Sequence, residues 1–275
     1  MSALPHADPG RGVFETMLVI AGRVVEFDAH LGRLQASIEA LYGEALDSSA
    51  RALVVDRAGE IERGKLRLSV FPSPGLAGPP EMDGGEPGGQ RLRVEAEEVD
   101  ADAVFPGPEN AASLRSVAVA GGLGEHKWVD RDLLDRATAA SPGELPLLLD
   151  ADGTVLEASR ASVFVIREGG LATPATDGRI LPSIARRQAI EVAATEGVET
   201  SEERLTLADL LKREVFLTGS VRGIEPVGFL DGAALKPPGE ISERLAAGLR
   251  RRWMVPAGEL AEAVAVGPPG DPPGR

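Results

Sequence analysis

The segment from residue 13 to residue 43 limits the fold more than any other. Apolar residues recur at strand spacing over 13–20, Ala21-Gly22 supplies a turn, and 24–27 reads as a return strand. Asp28 then stands as an N-cap before Leu31, Leu34, Ile38 and Leu41, which share one helix face ending near Gly43. A hairpin followed at once by an amphipathic helix predicts a small α/β domain with the helix laid on the sheet.

The pattern continues as a mixture of the two periods. A second helix is expected over 49–63 and strands over 65–70, 91–99 and 114–120. Farther on come a helix over 128–139, strands over 146–150, 154–158 and 162–167, and a helix over 183–196. A short helix (207–211), strands at 214–218 and 221–227 and a last helix over 241–253 complete the order. Several of these strands lie in hairpins, so mixed or antiparallel sheets are predicted. The Gly- and Pro-dense stretch 71–90 reads as a flexible loop between strands, and 255–275 as a disordered tail. The stretch 106–110 is the best domain boundary, which divides the chain into a small α/β domain (1–107), a connection (108–122), a larger domain (123–254) and the tail.

Composition removes whole classes of chemistry. The 275 residues contain no cysteine, which excludes disulfides, thiolate metal sites and thiol nucleophiles. The net charge of −14 disfavours binding to a nucleic-acid backbone. No apolar run approaches the roughly 20 residues that span a bilayer, and the first ten residues lack the pattern of a signal peptide, so a cytoplasmic protein without membrane contact is expected. His6, His30 and His126 are scattered without metal-ligand spacing, and no metal is expected.

Lysine is scarce: only Lys65, Lys127, Lys212 and Lys236 stand among 29 basic residues. Lys127 lies where a strand and glycine loop give way to a helix, beside Trp128. It reads either as a surface lysine or as an amine desolvated toward the neutral form that imine chemistry needs. Glu157 is the lone acid in TVLEASRASVFVI; it either caps a turn or faces a cationic partner such as a ring nitrogen. Ser183-Ile184-Ala185 opens a helix whose first N–H groups could take an anion. Arg33 sits at the edge of its helix's apolar stripe, either solvated or reaching an anion. The loop at Gly121-Gly122-Leu123-Gly124 reads as mobile, and the Thr218–Gly223 stretch as a plain turn or part of a site.

Taken in order, GVFETMLVIAGRVVEFDAHLGRLQAS, HKWVDR, LLLDADGTVLEASRASVFVI, ATPATDGRILPSIARRQAIE and EVFLTGSVRGIEPV resemble the fold-type IV, or class IV, pyridoxal-phosphate enzymes. That family includes branched-chain and D-amino-acid aminotransferases and 4-amino-4-deoxychorismate lyases. The likeness covers about residues 12–227. It implies an α+β or α/β two-domain fold of the D-amino-acid aminotransferase type, with pyridoxal 5'-phosphate between the domains. It also implies a homodimer and a small-molecule substrate. By position, Lys127 would carry the cofactor as an imine and then shuttle protons, and Arg33 would bind its phosphate. Glu157 would pair with the pyridine nitrogen and strengthen the ring as an electron sink. The main-chain N–H groups of Ile184 and Ala185, with the hydroxyl of Ser220, would complete the phosphate cup.

The continuation Trp128-Val129-Asp130-Arg131 resembles the K-x-x-N-R pattern of aminodeoxychorismate lyases, with Asp130 in place of asparagine. GSVRG likewise resembles a stretch of lyase modules that act alongside aminodeoxychorismate synthase in folate synthesis. The resemblance therefore implies release of pyruvate to give 4-aminobenzoate. Arg131 and Arg222 read either as contacts for substrate carboxylates, which bidentate arginine suits, or as partners in ordinary surface salt bridges. The alternatives are a class IV aminotransferase for branched-chain or D-amino acids, and a non-catalytic partner subunit. Ser183 and Ser162 depart from the family's usual glycine and asparagine, and the segment ahead of Gly12 is short.

Overall fold

The computed structural model describes residues 6–72 and 89–254. The expected loop at 71–90 falls almost wholly outside them, as does the expected tail at 255–275. The chain begins with β1 (Val13–Ile20), β2 (Arg23–Val24), α1 (Phe27–Tyr42), α2 (Ala50–Gly59), β3 (Arg63–Phe71) and β4 (Arg91–Glu98). The four strands pair antiparallel in the order β2-β1-β3-β4. Strand alternation gives this sheet two different faces. Val13, Met17 and Val19 of β1, with Leu66 and Leu68 of β3, pack against Leu34 and Ile38 of α1 and Val54 of α2. Phe14, Thr16, Lys65 and Arg67 point the other way, into a cavity. Leu66 and Leu68 are fully buried, so truncating either to alanine costs about 2–5 kcal/mol.

The rest of the described chain runs β5 (Ala112–Ala118), α3 (Asp132–Ala140), β6 (Leu145–Leu149), β7 (Val155–Ala158), β8 (Ser162–Arg167), β9 (Gly170–Thr173), α4 (Ile184–Thr195), β10 (Thr200–Glu202), α5 (Leu207–Leu210), β11 (Val215–Gly219), β12 (Gly223–Leu230), β13 (Ala233–Ala234) and α6 (Glu240–Met254). These strands make one mixed sheet, ordered β10-β9-β8-β11-β12-β5-β6-β7, with β13 on β12. The pairs β9/β10, β5/β12 and β5/β6 are parallel and the others antiparallel. Ala158 and Ala161 bridge β7 back to β8, so the sheet curls toward closure. Leu114, Leu147, Val155, Val163, Val215 and Leu217 fill the concave side. On the other side Phe164 and Phe216 stack at 5.0 Å under α4 and α6.

Leu18 and Val25 of the first sheet belong to the same apolar cluster as Phe105, Leu249 and Trp253, which joins the two sheets through a shared core. The seam is also hydrogen-bonded: Arg23 NH2 donates to the Trp253 carbonyl at 2.6 Å, and Arg252 pairs with Glu26 at 3.4 Å.

Three expected boundaries shift for tertiary reasons. Helix α1 begins at Phe27, so the return strand expected over 24–27 is reduced to Arg23–Val24, and Asp28 lies inside the first turn rather than capping it. Glu26 takes the N-cap position with φ 53°, after Val25 N–H has bonded back to the Leu18 carbonyl. The helix expected from residue 128 starts at Asp132, because 128–129 pair with the start of β1. Helix α2 stops at Gly59, where the Ile61 and Glu62 carbonyls turn to accept from Gly22 and Ala21. Strands β9 and β10 were not anticipated. Each has only three or four residues, too few to show a period.

Candidate active site

Lys127 is placed by β1. The Phe14 N–H donates to the Lys127 carbonyl at 2.8 Å, Val13 bridges to Trp128, and Val129 N–H donates to the Gly12 carbonyl at 3.0 Å. Nζ of Lys127 lies 4.9 Å from the Phe14 ring centre. Burial, and then the neighbouring Arg33 charge, lower its ammonium from 10.5 to about 8. A large share of neutral amine is thus present at mildly alkaline pH, the form that can act as nucleophile or base. The glycine loop ahead of it is held rather than mobile. Gly121 N–H donates to Asp150, Gly122 N–H to Val119 and Gly124 N–H to Arg179, while Trp128 Nε1 donates to the Leu123 carbonyl.

Glu157, the third residue of β7, is 8% exposed. Its carboxyl accepts one long hydrogen bond, from Leu181 N–H at 3.4 Å, and has no ion pair among the described residues. Burial raises it from 4.5 to about 7 despite that bond and the charges of Lys127 and Arg33. A cation brought against this carboxyl would return it to the ionised form.

Arg33 is held by a residue that the sequence reading did not single out. Glu15 of β1, 1% exposed, accepts from Arg33 Nε at 2.7 Å and from Arg33 NH2 at 2.8 Å. His30 Nδ1, one turn earlier on α1, shares Glu15 Oε2 at 2.8 Å. Burial alone would raise the Glu15 carboxyl; the Arg33 charge and the bonds from both partners outweigh it and hold it at about 2. Arg33 NH1 crosses to the Pro182 carbonyl at 3.1 Å, immediately before α4. Ser183 is the N-cap of α4, its Oγ accepting from Arg186 N–H at 3.2 Å. The N–H groups of Ile184 and Ala185 follow in the first turn, where no intrahelical carbonyl can take them. The side chains of both are buried in the core.

Arg33, Lys127, Glu157, Ser220, Arg131 and Arg222 all line one cavity of about 560 Å³, with Ser183 at its edge. Ile184 and Ala185 sit behind that edge. Arg131 donates to the Ser159 carbonyl at 3.0 Å and makes no ion pair among the described residues. Arg67, unremarked in the sequence, lies with its guanidinium 3.8 Å from the Phe14 ring centre. It likewise makes no ion pair among the described residues, and burial and the Arg131 charge both lower its pKa. Arg222 is differently placed: its Nε donates to the buried Glu225 at 2.9 Å, and Arg160 grips the same carboxylate. Among the described residues two guanidiniums of this cavity, Arg67 and Arg131, have no ion pair, and three others, Arg33, Arg160 and Arg222, are neutralised in part by Glu15 or Glu225.

Asp130 accepts from Arg11 NH1 and from the N–H groups of Asp8 and Asp132, so it fixes the turn ahead of α3. The alternation KLRLSV in β3 puts Lys65 and Arg67 on the face opposite Leu66 and Leu68; that was the signal for Arg67. For Glu15 it was an acid at an inward position of VFETMLVI.

The cavity suits a phosphorylated, planar ring. It presents an amine near neutrality, a buried acid lacking a cation, and an arginine aimed at a helix N-terminus. The Ser162 hydroxyl, 2% exposed, also lines it without a hydrogen-bond partner. Among the described residues no cluster of three or more His, Asp or Glu could hold a metal, and no helix is long and apolar enough to cross a membrane.

The family model for class IV amino-transferases matches residues 12–228. A protein of Methanocaldococcus jannaschii provisionally named branched-chain-amino-acid aminotransferase is 28% identical over 277 residues, covering 90% of this chain and 89% of its own. Some other relatives align in part only: the chain matches 54% of the Salmonella typhimurium branched-chain-amino-acid aminotransferase, at 28% identity over 62% of its own length. The structure of 4-amino-4-deoxychorismate lyase from Pseudomonas aeruginosa superposes with a TM-score of 0.70 at 27% identity, over 88% of this chain and 90% of that one. A protein of Mycobacterium tuberculosis described as a hypothetical aminotransferase, in its PLP-bound form, gives 0.76 at 22% identity, over 92% and 95%. The chain belongs to the class IV aminotransferase family, which depends on pyridoxal phosphate.

Proposed function

We propose that the protein is a 4-amino-4-deoxychorismate lyase, releasing pyruvate to leave 4-aminobenzoate. The observation that carries this reading is the pair of unpaired guanidiniums, Arg67 and Arg131, in the cavity of Lys127. Such a substrate has two carboxylates, one on the ring and one on the enolpyruvyl group, and arginine suits both. The K-x-x-D-R run ending in Arg131 and the 27% identity to the Pseudomonas aeruginosa lyase support it.

In this reading Lys127 anchors the cofactor, and Arg33, the N–H groups of Ile184 and Ala185 and the Ser220 hydroxyl hold its phosphate. Glu157 keeps a positive charge on the ring nitrogen by pairing with it. The cofactor supplies an electron sink when bound. The Lys127 amine, near neutral, would take the proton from the amine-bearing carbon of the substrate. The adjacent C–O bond breaks, its electron pair leaving with enolpyruvate, which takes a proton to become pyruvate as the ring aromatises. Arg67 and Arg131 orient the carboxylates, and Arg222, tied to Glu225, contributes less than Arg131. The reading includes a boundary near residue 107 between a small and a larger domain, a cytoplasmic homodimer, and action alongside an aminodeoxychorismate synthase.

A second reading, transamination of branched-chain or D-amino acids, is favoured by the near full-length similarity to the Methanocaldococcus jannaschii protein. One experiment separates them. Purified protein should show visible absorption that Lys127→Ala abolishes, and should form pyruvate and 4-aminobenzoate without an amino acceptor. Absence of pyruvate, with amino exchange to a 2-oxo acid, would establish the second reading instead. Protein that stays colourless with pyridoxal phosphate would overturn both.

A further inference from the structure

Arginine has five N–H donors in a rigid fork, and on Arg33 three are already in use. Nε and NH2 each give one to Glu15, and NH1 gives one to the Pro182 carbonyl. One N–H on NH1 and one on NH2 remain, on the part of the fork nearest the start of α4. A long side chain left to itself loses rotamer freedom when it is immobilised, and this cost is charged against any anion it binds. In this protein the cost is met in advance by the two-point grip of Glu15, itself fixed by His30 and buried at the centre of β1.

We infer that Glu15 is a positioning residue, which fixes Arg33 in the one orientation that presents its two remaining N–H groups to a phosphate at the first turn of α4. The inference rests on the reading that Arg33 receives the cofactor phosphate. Glu15 faces α1, on the opposite side of β1 from Phe14 and Thr16, and does not line the cavity, so its direct contact is with Arg33 rather than with a ligand. His30 completes the arrangement: a carboxylate only accepts, so Nδ1 carries the proton and holds Oε2 from behind.

The test is a double-mutant cycle on the apoprotein, with binding of pyridoxal phosphate and of unphosphorylated pyridoxal followed by absorbance. Glu15→Gln should weaken pyridoxal phosphate binding about tenfold and leave pyridoxal binding within twofold. In an Arg33→Ala background the same change should have no further effect. Glu15→Asp keeps the charge but shortens the reach, and should reproduce most of the loss; it also serves if Glu15→Gln does not fold. Equal weakening of both ligands, or an undiminished Glu15 effect in the Arg33→Ala background, would overturn the inference. Full phosphate-dependent affinity in Arg33→Ala alone would instead overturn the assignment of Arg33 to the phosphate.

Discussion

Phe14 holds Lys127 at two points: its N–H donates to the lysine carbonyl at 2.8 Å, and its ring centre lies 4.9 Å from Nζ. One strand residue of the first sheet thus sets both the backbone and the amine of a residue 113 positions later. The same ring carries the Arg67 guanidinium, so the amine and an unpaired arginine share one apolar support.

Lys127 costs stability in the apoprotein. Its folded value, about 8, lies below the ordinary 10.5, so between these pH values the unfolded chain holds a proton that the folded one has released. Wild-type stability therefore rises as pH increases from 8 to 10.5, and the full penalty is present below 8. Lys127→Met should be more stable than wild type at pH 7 by up to about 3 kcal/mol, with the gain fading by pH 10.5. Urea unfolding across this range is the measurement.

Glu157 behaves in the opposite sense. Its folded value, about 7, is above the ordinary 4.5, so wild-type stability falls as pH rises from 4.5 to 7. Glu157→Gln should be up to about 3 kcal/mol more stable at pH 8 and unchanged at pH 4. It should also bind pyridoxal phosphate more weakly at pH 8, where the wild-type carboxylate is available to the ring nitrogen. Tighter binding by the variant would contradict the assignment of this acid.

Glu15 should govern acid sensitivity. Held at about 2 against an ordinary 4.5, it contributes stability that is complete above pH 4.5 and lost as pH falls toward 2. Glu15→Gln should be destabilised by about 3 kcal/mol at pH 7 and should show a shallower loss between pH 4.5 and 2. Circular dichroism melts over that range test this.

Arg67 and Arg131 should act on substrate more than on cofactor. Replacing either with Met should lower kcat/KM for the dicarboxylate about 10- to 100-fold, the range expected for a charged hydrogen bond, with cofactor affinity within threefold. Arg222→Met should cost less, because that guanidinium already serves Glu225. Steady-state kinetics of pyruvate release rank the three.

Two glycines of one loop should respond differently. Gly122 has φ 68°, and an added Cβ would collide with the Arg179 carbonyl oxygen; Gly121, with φ 77°, has open space around it. Gly121→Ala should cost about 1–2 kcal/mol from its left-handed backbone alone. Gly122→Ala should cost more, and should shift the cofactor absorption because Gly122 leads directly to Lys127. Thermal melts and visible spectra of the two variants decide this.

Most of the strand and helix positions along the chain were legible because each long element carries its own period, as in VFETMLVI and in the Leu31, Leu34, Ile38 stripe. What was not legible depends on partners far away in the chain. Residues 128–129 have helix-compatible neighbours, yet an isolated bridge from Trp128 to Val13 and a bond from Val129 N–H to the Gly12 carbonyl hold them against the start of β1. The glycine loop looked mobile because the groups that hold it, Asp150 and Arg179, come later in the sequence. Lys127, Glu157 and Arg33 could be marked by motif, and they do line one cavity. Glu15 and Arg67 went unmarked because an ionic residue in a strand declares its role only when the opposite face is known.

The bond from Arg23 to the Trp253 carbonyl joins the hairpin of β1 and β2 to the end of α6 across 230 residues. At roughly 5–20 residues per second of synthesis, the hairpin emerges on the order of ten to fifty seconds before its partner exists. During that interval Leu18 and Val25 lack part of the cluster that buries them, and β1 lacks the lysine segment it will pair with for most of the first half of translation. The nascent chain thus carries an incompletely covered apolar seam until α6, which supplies Leu245, Leu249 and Trp253 to that cluster, has been made.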